Sequence, residues 1–347
     1  MMHYNLHFTL DYEIHGNGDG NPMELMVEPT DRLMSLLEKY HQRLTIMTDV
    51  AEILCFKRYL AETGRDDYHT VEIEEQLRDA IRRGHEVQLH IHSSYFKAVY
   101  NGHSFDQCIE EYNMAVLPIE RIDEMVTECI TYLEQLLKPV KKDYKVWLFR
   151  AANWSMMPTE NLYKVLERHG ITHDTSVFKG GVQGGNVCYD YREAYDNLFA
   201  YPASMHDINK RDDKGEIIEW PIYTEMRPFW DFVSVIRVFR MVRAKFHKHK
   251  VSEELKVKSE KSSVAQNDNR KLTINSFFRL SPMKMDFNQV NSRGLKRMMR
   301  NVMRKVESEK TRGKGADVVL IGHSKTFIPY NEKTLEPFLR WYYNVSK

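Results

Sequence analysis

The sequence predicts an α/β protein built on parallel strands, as a barrel or a sheet, in one main domain. Three observations carry that expectation. Strand-like and helix-like segments alternate along most of the chain. Polar and ionisable residues stand at the C-terminal ends of the strand-like segments, where parallel α/β folds build their sites. Asp317–Ile321 (DVVLI) is a short, nearly unbroken apolar run closed by Gly322-His323, as a strand buried on both faces requires.

Taken in order, Tyr4–Leu10 reads as a buried strand running into Asp11-Tyr12-Glu13 and a Gly-rich turn, Gly16–Pro22. Pro29–Lys39 has Leu33, Leu36 and Leu37 on one helical face. Arg43–Thr48 is strand-like, Asp49–Glu62 helical, and Thr70–Arg83 a helix with many i,i+4 charge pairs, ended by Gly84. Glu86–His92 alternates with a period of two and is a strand. Phe105–Lys138 reads as helix broken near Pro118, and Tyr144–Phe149 as a strand ending at Arg150. Thr159–Arg168 is a helix, Ile171–Asp174 and Ile217–Trp220 are short strands, and Asn331–Asn344 is a closing helix. Residues 227–275 break the pattern and form an insertion. A helix pattern turns basic, with six Lys or Arg and two His between Asp231 and Val251 and no acid, and a charged Ser-rich stretch follows. A solvated basic helix end is one reading; peripheral contact with an anionic membrane is the other.

Composition excludes some classes. Fifty Lys and Arg against 49 Asp and Glu give no basic excess for nucleic acid. Cys55, Cys108, Cys129 and Cys188 lie far apart without a CxxC pair, which points to a reducing compartment and away from a disulfide framework or a cysteine-zinc site. The N-terminal residues lack the features of a secretory signal, and no run of about 18 apolar residues suggests a membrane span. A cytoplasmic location is expected.

The chemistry concentrates at four strand ends. His90 and His92 share one strand face, as do Asp11 and Glu13. One carboxylate and two imidazoles suit a catalytic divalent ion with open positions, and the second carboxylate is then free to act as a base. His323 is placed to serve as general acid, and Arg150 to hold and orient Asp11. Trp154, Tyr95 and Trp220 are candidates for stacking on a ligand or for the core.

Five stretches, in order, resemble motifs of the polysaccharide deacetylase family, carbohydrate esterase family 4, with its NodB-like fold. FTLDYE is similar to the first motif, which makes Asp11 the base and Glu13 a metal ligand. GHEVQLHIHSSY resembles the second, where a His and another four residues on bind the ion. His90 matches the first of these, but the i+4 position is Ser94, so either His92 serves instead or the site loses a ligand. LFRAANW resembles the arginine motif and sets Arg150 beside the base, although Ala-Ala-Asn-Trp departs from the usual continuation. ITHDTSV looks like the Asp-x-Ser strand, with Asp174 structural; IGHSKTF makes His323 the acid, and KMDF offers Asp286 as its partner. The resemblance spans roughly residues 4–225 and 315–330, with no counterpart for the insertion.

That family implies a distorted (β/α) barrel with fewer than eight strands and an open groove for a glycan. It also implies a divalent metal, zinc by preference, and removal of an acetyl group from an N-acetylated sugar of a surface glycan or its precursor. Two alternatives stand beside this: hydrolysis of another non-peptide C–N bond, and a degenerate, non-catalytic glycan-binding protein.

Overall fold

The computed structural model describes residues 4–14, 16, 18–232, 280–309 and 316–346. The chain divides into two compact units, 1–225 with 284–347, and 226–283. In the first, strand β1 (Tyr4–Tyr12) leads to helix α1 (Glu28–Glu38), β2 (Leu44–Asp49), α2 (Val50–Thr63), α3 (Thr70–Arg82) and β3 (Glu86–Ile91). Then come α4 (Ile119–Leu137), β4 (Leu148–Ala151), α5 (Thr159–Arg168), β5 (His173–Asp174), β6 (Tyr201–Ser204), β7 (Asp207–Arg211) and β8 (Ile218–Glu219). Helix α6 (Ser292–Ser308), β9 (Ala316–His323) and α7 (Pro329–Ser346) complete it. The second unit is bounded by the strands Thr224–Pro228 and Leu280–Lys284, which pair with each other.

The main sheet has the order β7-β6-β8-β5-β4-β3-β2-β1-β9. From β8 to β9 every neighbour is parallel, while β6 and β7 are antiparallel additions. The sheet closes on itself just past β8. Ile222 bridges in parallel to Val319 of β9, the Tyr223 N–H donating to the Val319 carbonyl at 3.1 Å. Further up β9, Met285–Phe287 takes over that edge, with Phe287 N–H on the Ile321 carbonyl at 3.0 Å. Among the described residues this is a barrel of seven parallel strands, distorted where two segments share the closing edge. The expected barrel with fewer than eight strands is the fold observed.

Alternation along the strands sorts the two faces of the wall. In β1, Phe8, Leu10 and Tyr12 are fully buried, and alternate with Thr9 and Asp11. The second set faces the lumen, because Arg150 of β4 reaches Asp11 and Thr9 of β1 although β2 and β3 lie between them in the wall. Such a reach is open only across the barrel interior. Helix ends fix where each strand restarts. Asp49 caps α2 by accepting from the Glu52 N–H at 3.4 Å, and Gly64 ends that helix in the left-handed region at φ +70°.

Several elements differ from the sequence expectations. Residues 105–117 are not an α-helix but a short strand, Phe105–Asp106, and two 3-10 turns; the helix starts at Ile119, after Pro118. Tyr144–Trp147 lies outside β4, and Arg150 lies inside it. Helix α6 and the β6–β7 pair were not anticipated. The basic helix expected within the insertion falls almost wholly on residues 233–279, outside the described residues.

Candidate metal centre and active site

The C-terminal mouth of the barrel gathers the strand-end residues. Glu13, one residue past β1, points Oε2 at two imidazoles: His92 Nε2 stands 2.8 Å away and His90 Nε2 3.4 Å away. One donor atom from each of the three lies within 4.8 Å of the others, and all three residues are buried. Despite this closeness, Glu13 Oε2 has no hydrogen-bond partner among the described residues. A buried carboxylate oxygen converging with two ring nitrogens, without being satisfied by them, fits a divalent ion set among the three.

The contacts around these three residues are compatible with such an ion. His90 Nδ1 lies 2.9 Å from the Arg150 carbonyl oxygen; a proton on Nδ1 donates there and leaves the Nε2 lone pair for an ion. The His92 N–H donates to Asp49 Oδ1 at 3.0 Å. β3 ends at Ile91, yet His92 keeps extended backbone (φ −92°, ψ 90°), so its side chain stays on the face of His90. Ser94 turns away, its hydroxyl donating to Gln107 Oε1 at 2.6 Å. Burial opposes charge on Glu13, but Lys325, at 2.7 Å from Oε1, and His92 outweigh it and hold the carboxyl well below its usual range. His90 is likewise penalised by burial, and its closeness to Glu13 with the charges of Asp11 and Asp49 raises it to about 9.

Beside this trio stand a second carboxylate and a third imidazole, Asp11 and His323. Asp11 Oδ1 accepts from Arg150 at 2.6 Å, and Asp11 Oδ2 lies 3.4 Å from His323 Nε2. Burial works against the Asp11 charge, but Arg150 and then His323 overcome it and keep the carboxyl below its ordinary range. Arg150 is fully buried and held by Thr9 Oγ1 at 2.8 Å and the Thr175 carbonyl at 2.9 Å. His323 is pulled below the usual imidazole range by burial, against the charges of Asp11 and Glu13.

Asp286 reaches this region, bridging to Ile321, and its charge acts on His323. No hydrogen bond joins the two among the described residues. Asp286 Oδ1 is taken by the N–H groups of Asn288 and Gln289, at 2.8 and 3.1 Å. Asn288 instead grips the His323 backbone on both sides, accepting from its N–H at 3.2 Å and donating to its carbonyl at 3.0 Å. Tyr95 is fully buried with its hydroxyl on Glu52 and is core, not a sugar platform. Trp220 is half-buried among His7, Trp147 and His173, nearer the opposite end of the barrel. Trp154 does flank the site, 6.3 Å from the His323 ring and covered on one face by the Lys284 ammonium. It follows Asn153, and both are non-glycine residues at positive φ, 50° and 58°, a strain that tends to collect at functional sites.

Three contributors were missed in the sequence: Asp49, Lys325 and Asn288. Asp49 obeys the same strand-end rule as the others, but it also opens the helical pattern of Asp49–Glu62. Lys325 and Asn288 act through partners far along the chain, and no local pattern marks them.

No family model and no curated protein matches the sequence. Among solved structures, a protein from Mycobacterium smegmatis described as a polysaccharide deacetylase aligns with 99% of this chain and 84% of its own, at 12% identity and TM-score 0.48. A PuuE allantoinase aligns over 98% and 84%, at 11% identity and TM-score 0.47. A family 4 acetyl xylan esterase from Clostridium thermocellum, in complex with a cobalt ion, aligns over 51% and 59%, at 13% identity and TM-score 0.30. The chain is similar to these proteins in fold; what its site does rests on its own residues.

Proposed function

We propose that this chain is a divergent polysaccharide deacetylase that hydrolyses the amide of an N-acetylated sugar, using a divalent ion held by Glu13, His90 and His92. One observation carries the reading: the Glu13–His90–His92 trio and the Asp11–His323 pair converge on one barrel mouth from three separate strands. The mixed oxygen and nitrogen donor set favours zinc, which when bound polarises a carbonyl and acidifies water.

The rest is done by the protein's side chains. Asp11, ionised because Arg150 holds its charge, takes a proton from the attacking water. Arg150 fixes the direction of that carboxylate through its bonds to Thr9 and Thr175. His323, depressed by burial, begins without its proton at neutral pH, and Asp11, 3.4 Å away, can supply the one just taken. His323 then donates to the amine nitrogen as the C–N bond breaks. Acetate and the free amine leave, and the pair is restored.

Acetate release from a panel of N-acetylated sugars tests this. Asp11→Asn and His323→Ala should each lower turnover by at least about a hundredfold, a typical general acid–base contribution, with the fold retained. Near-native turnover in either variant removes its assigned role. The turn of Ser94 toward Gln107 favours a second reading, a non-catalytic glycan-binding protein. Purified wild-type protein that carries no stoichiometric divalent metal and releases no acetate would select it.

A further inference from the structure

We propose that Lys325 holds Glu13 to a single free oxygen, so that Glu13 offers an ion only Oε2 and a coordination position beside it stays open. This rests on the metal-centre reading above.

β1 ends at Tyr12, and its register with β9 ends at Asp11 opposite His323, so no ladder bond holds Glu13. The turn after β9, Ser324–Thr326, holds it instead. Ser324 Oγ accepts from the Glu13 N–H at 3.4 Å and donates to its carbonyl at 3.3 Å. Lys325 Nζ then takes Oε1 at 2.7 Å. The two carboxylate oxygens are thereby divided, one on the ammonium and one facing His90 and His92. The carboxylate side chain is 4% exposed and that of Lys325 25%, so the charge-assisted bond is largely shielded from water.

A ligating carboxylate with both oxygens free can chelate with both, whereas catalytic sites of this type keep a position for water or substrate. Lys325 removes the first option without itself being a ligand. It is a positioning residue, three hundred residues from its partner in sequence and invisible to any local motif.

The test loads the full chain with one equivalent of Co2+ and reads visible absorption and the metal K-edge, independently of turnover. Lys325→Met should still bind one ion but gain an oxygen ligand, and its d–d absorption should fall at least about twofold as coordination rises above four. Lys325→Arg, which keeps a cation on Oε1, should retain the wild-type spectrum. Lys325→Ala removes the same ammonium and is read in the same way should Lys325→Met not fold. Unchanged coordination on losing the ammonium, or equal change in the Met and Arg variants, overturns the proposal. Wild-type protein that takes up no stoichiometric Co2+ defeats the metal-centre reading itself, and does so before any variant is made.

Discussion

Arg150→Met should destabilise the barrel through Asp11, whatever the reaction. The guanidinium is fully buried and makes four hydrogen bonds: to Asp11 Oδ1 at 2.6 Å, Thr9 Oγ1 at 2.8 Å, the Thr175 carbonyl at 2.9 Å and Thr175 Oγ1 at 3.4 Å. Breaking a buried ion pair from one side costs about 3–5 kcal/mol, because the remaining charge is stranded. Methionine occupies the volume of the arginine stem and its apolar burial returns about 1 kcal/mol. A net loss of about 3 kcal/mol is expected. With a urea slope of about 3 kcal/mol per M, the unfolding midpoint falls by about 1 M. Intrinsic fluorescence reports the transition through Trp147, Trp154 and Trp220. The double variant with Asp11→Asn removes the stranded charge, so the two substitutions should be sub-additive by about 2 kcal/mol. A loss under about 1 kcal/mol, or strict additivity, would refute the claim that Arg150 exists to compensate Asp11.

Two further outcomes follow from the same geometry. Asp174 and Glu219 stand opposite in register on β5 and β8, fully buried; burial raises both, and Asp174 pushes Glu219 well above the usual carboxyl range. A raised carboxyl favours the folded state while protonated, so its stabilisation is complete below the unfolded value and is lost as pH climbs toward the folded one. Glu219→Gln should therefore flatten the fall in melting temperature as pH rises above the ordinary carboxyl range, and parallel curves would count against a raised Glu219 carboxyl. His92→Ala should lose bound metal nearly as severely as His90→Ala, while Ser94→Ala keeps it; metal analysis after gel filtration decides, and stoichiometric metal in His92→Ala would break the three-ligand set.

How much of this was legible in one dimension depends on the range of the interaction. The periods of Glu86–His92 and of Tyr4–Glu13 place His90 with His92 and Asp11 with Glu13, because a strand's alternation is local and survives any tertiary arrangement. The alternation of strands and helices led to parallel α/β architecture for the same reason. Helix α6 carries an equally local signal, with Leu295, Met298, Met299, Val302 and Val306 at helical spacing along one buried stripe. Residues 105–117 misled because their apolar residues do approximate a helical period, while the chain there is held by turns such as the Asn113 side chain accepting from the Ala115 N–H.

The sequence by itself determined which side chains share a strand face and which strand ends carry acids, imidazoles and a guanidinium. Only the tertiary structure decided which strands became neighbours, and hence that Arg150 meets Asp11 across the lumen while Lys325 meets Glu13 at the rim. It also decided that Ser94 leaves the site and that Tyr95 belongs to the core. The physical reason is closure. Seven strands bent into a barrel bring residues more than three hundred positions apart within hydrogen-bond reach, and those distances are set by the order and stagger of the wall, which no stretch of chain encodes alone.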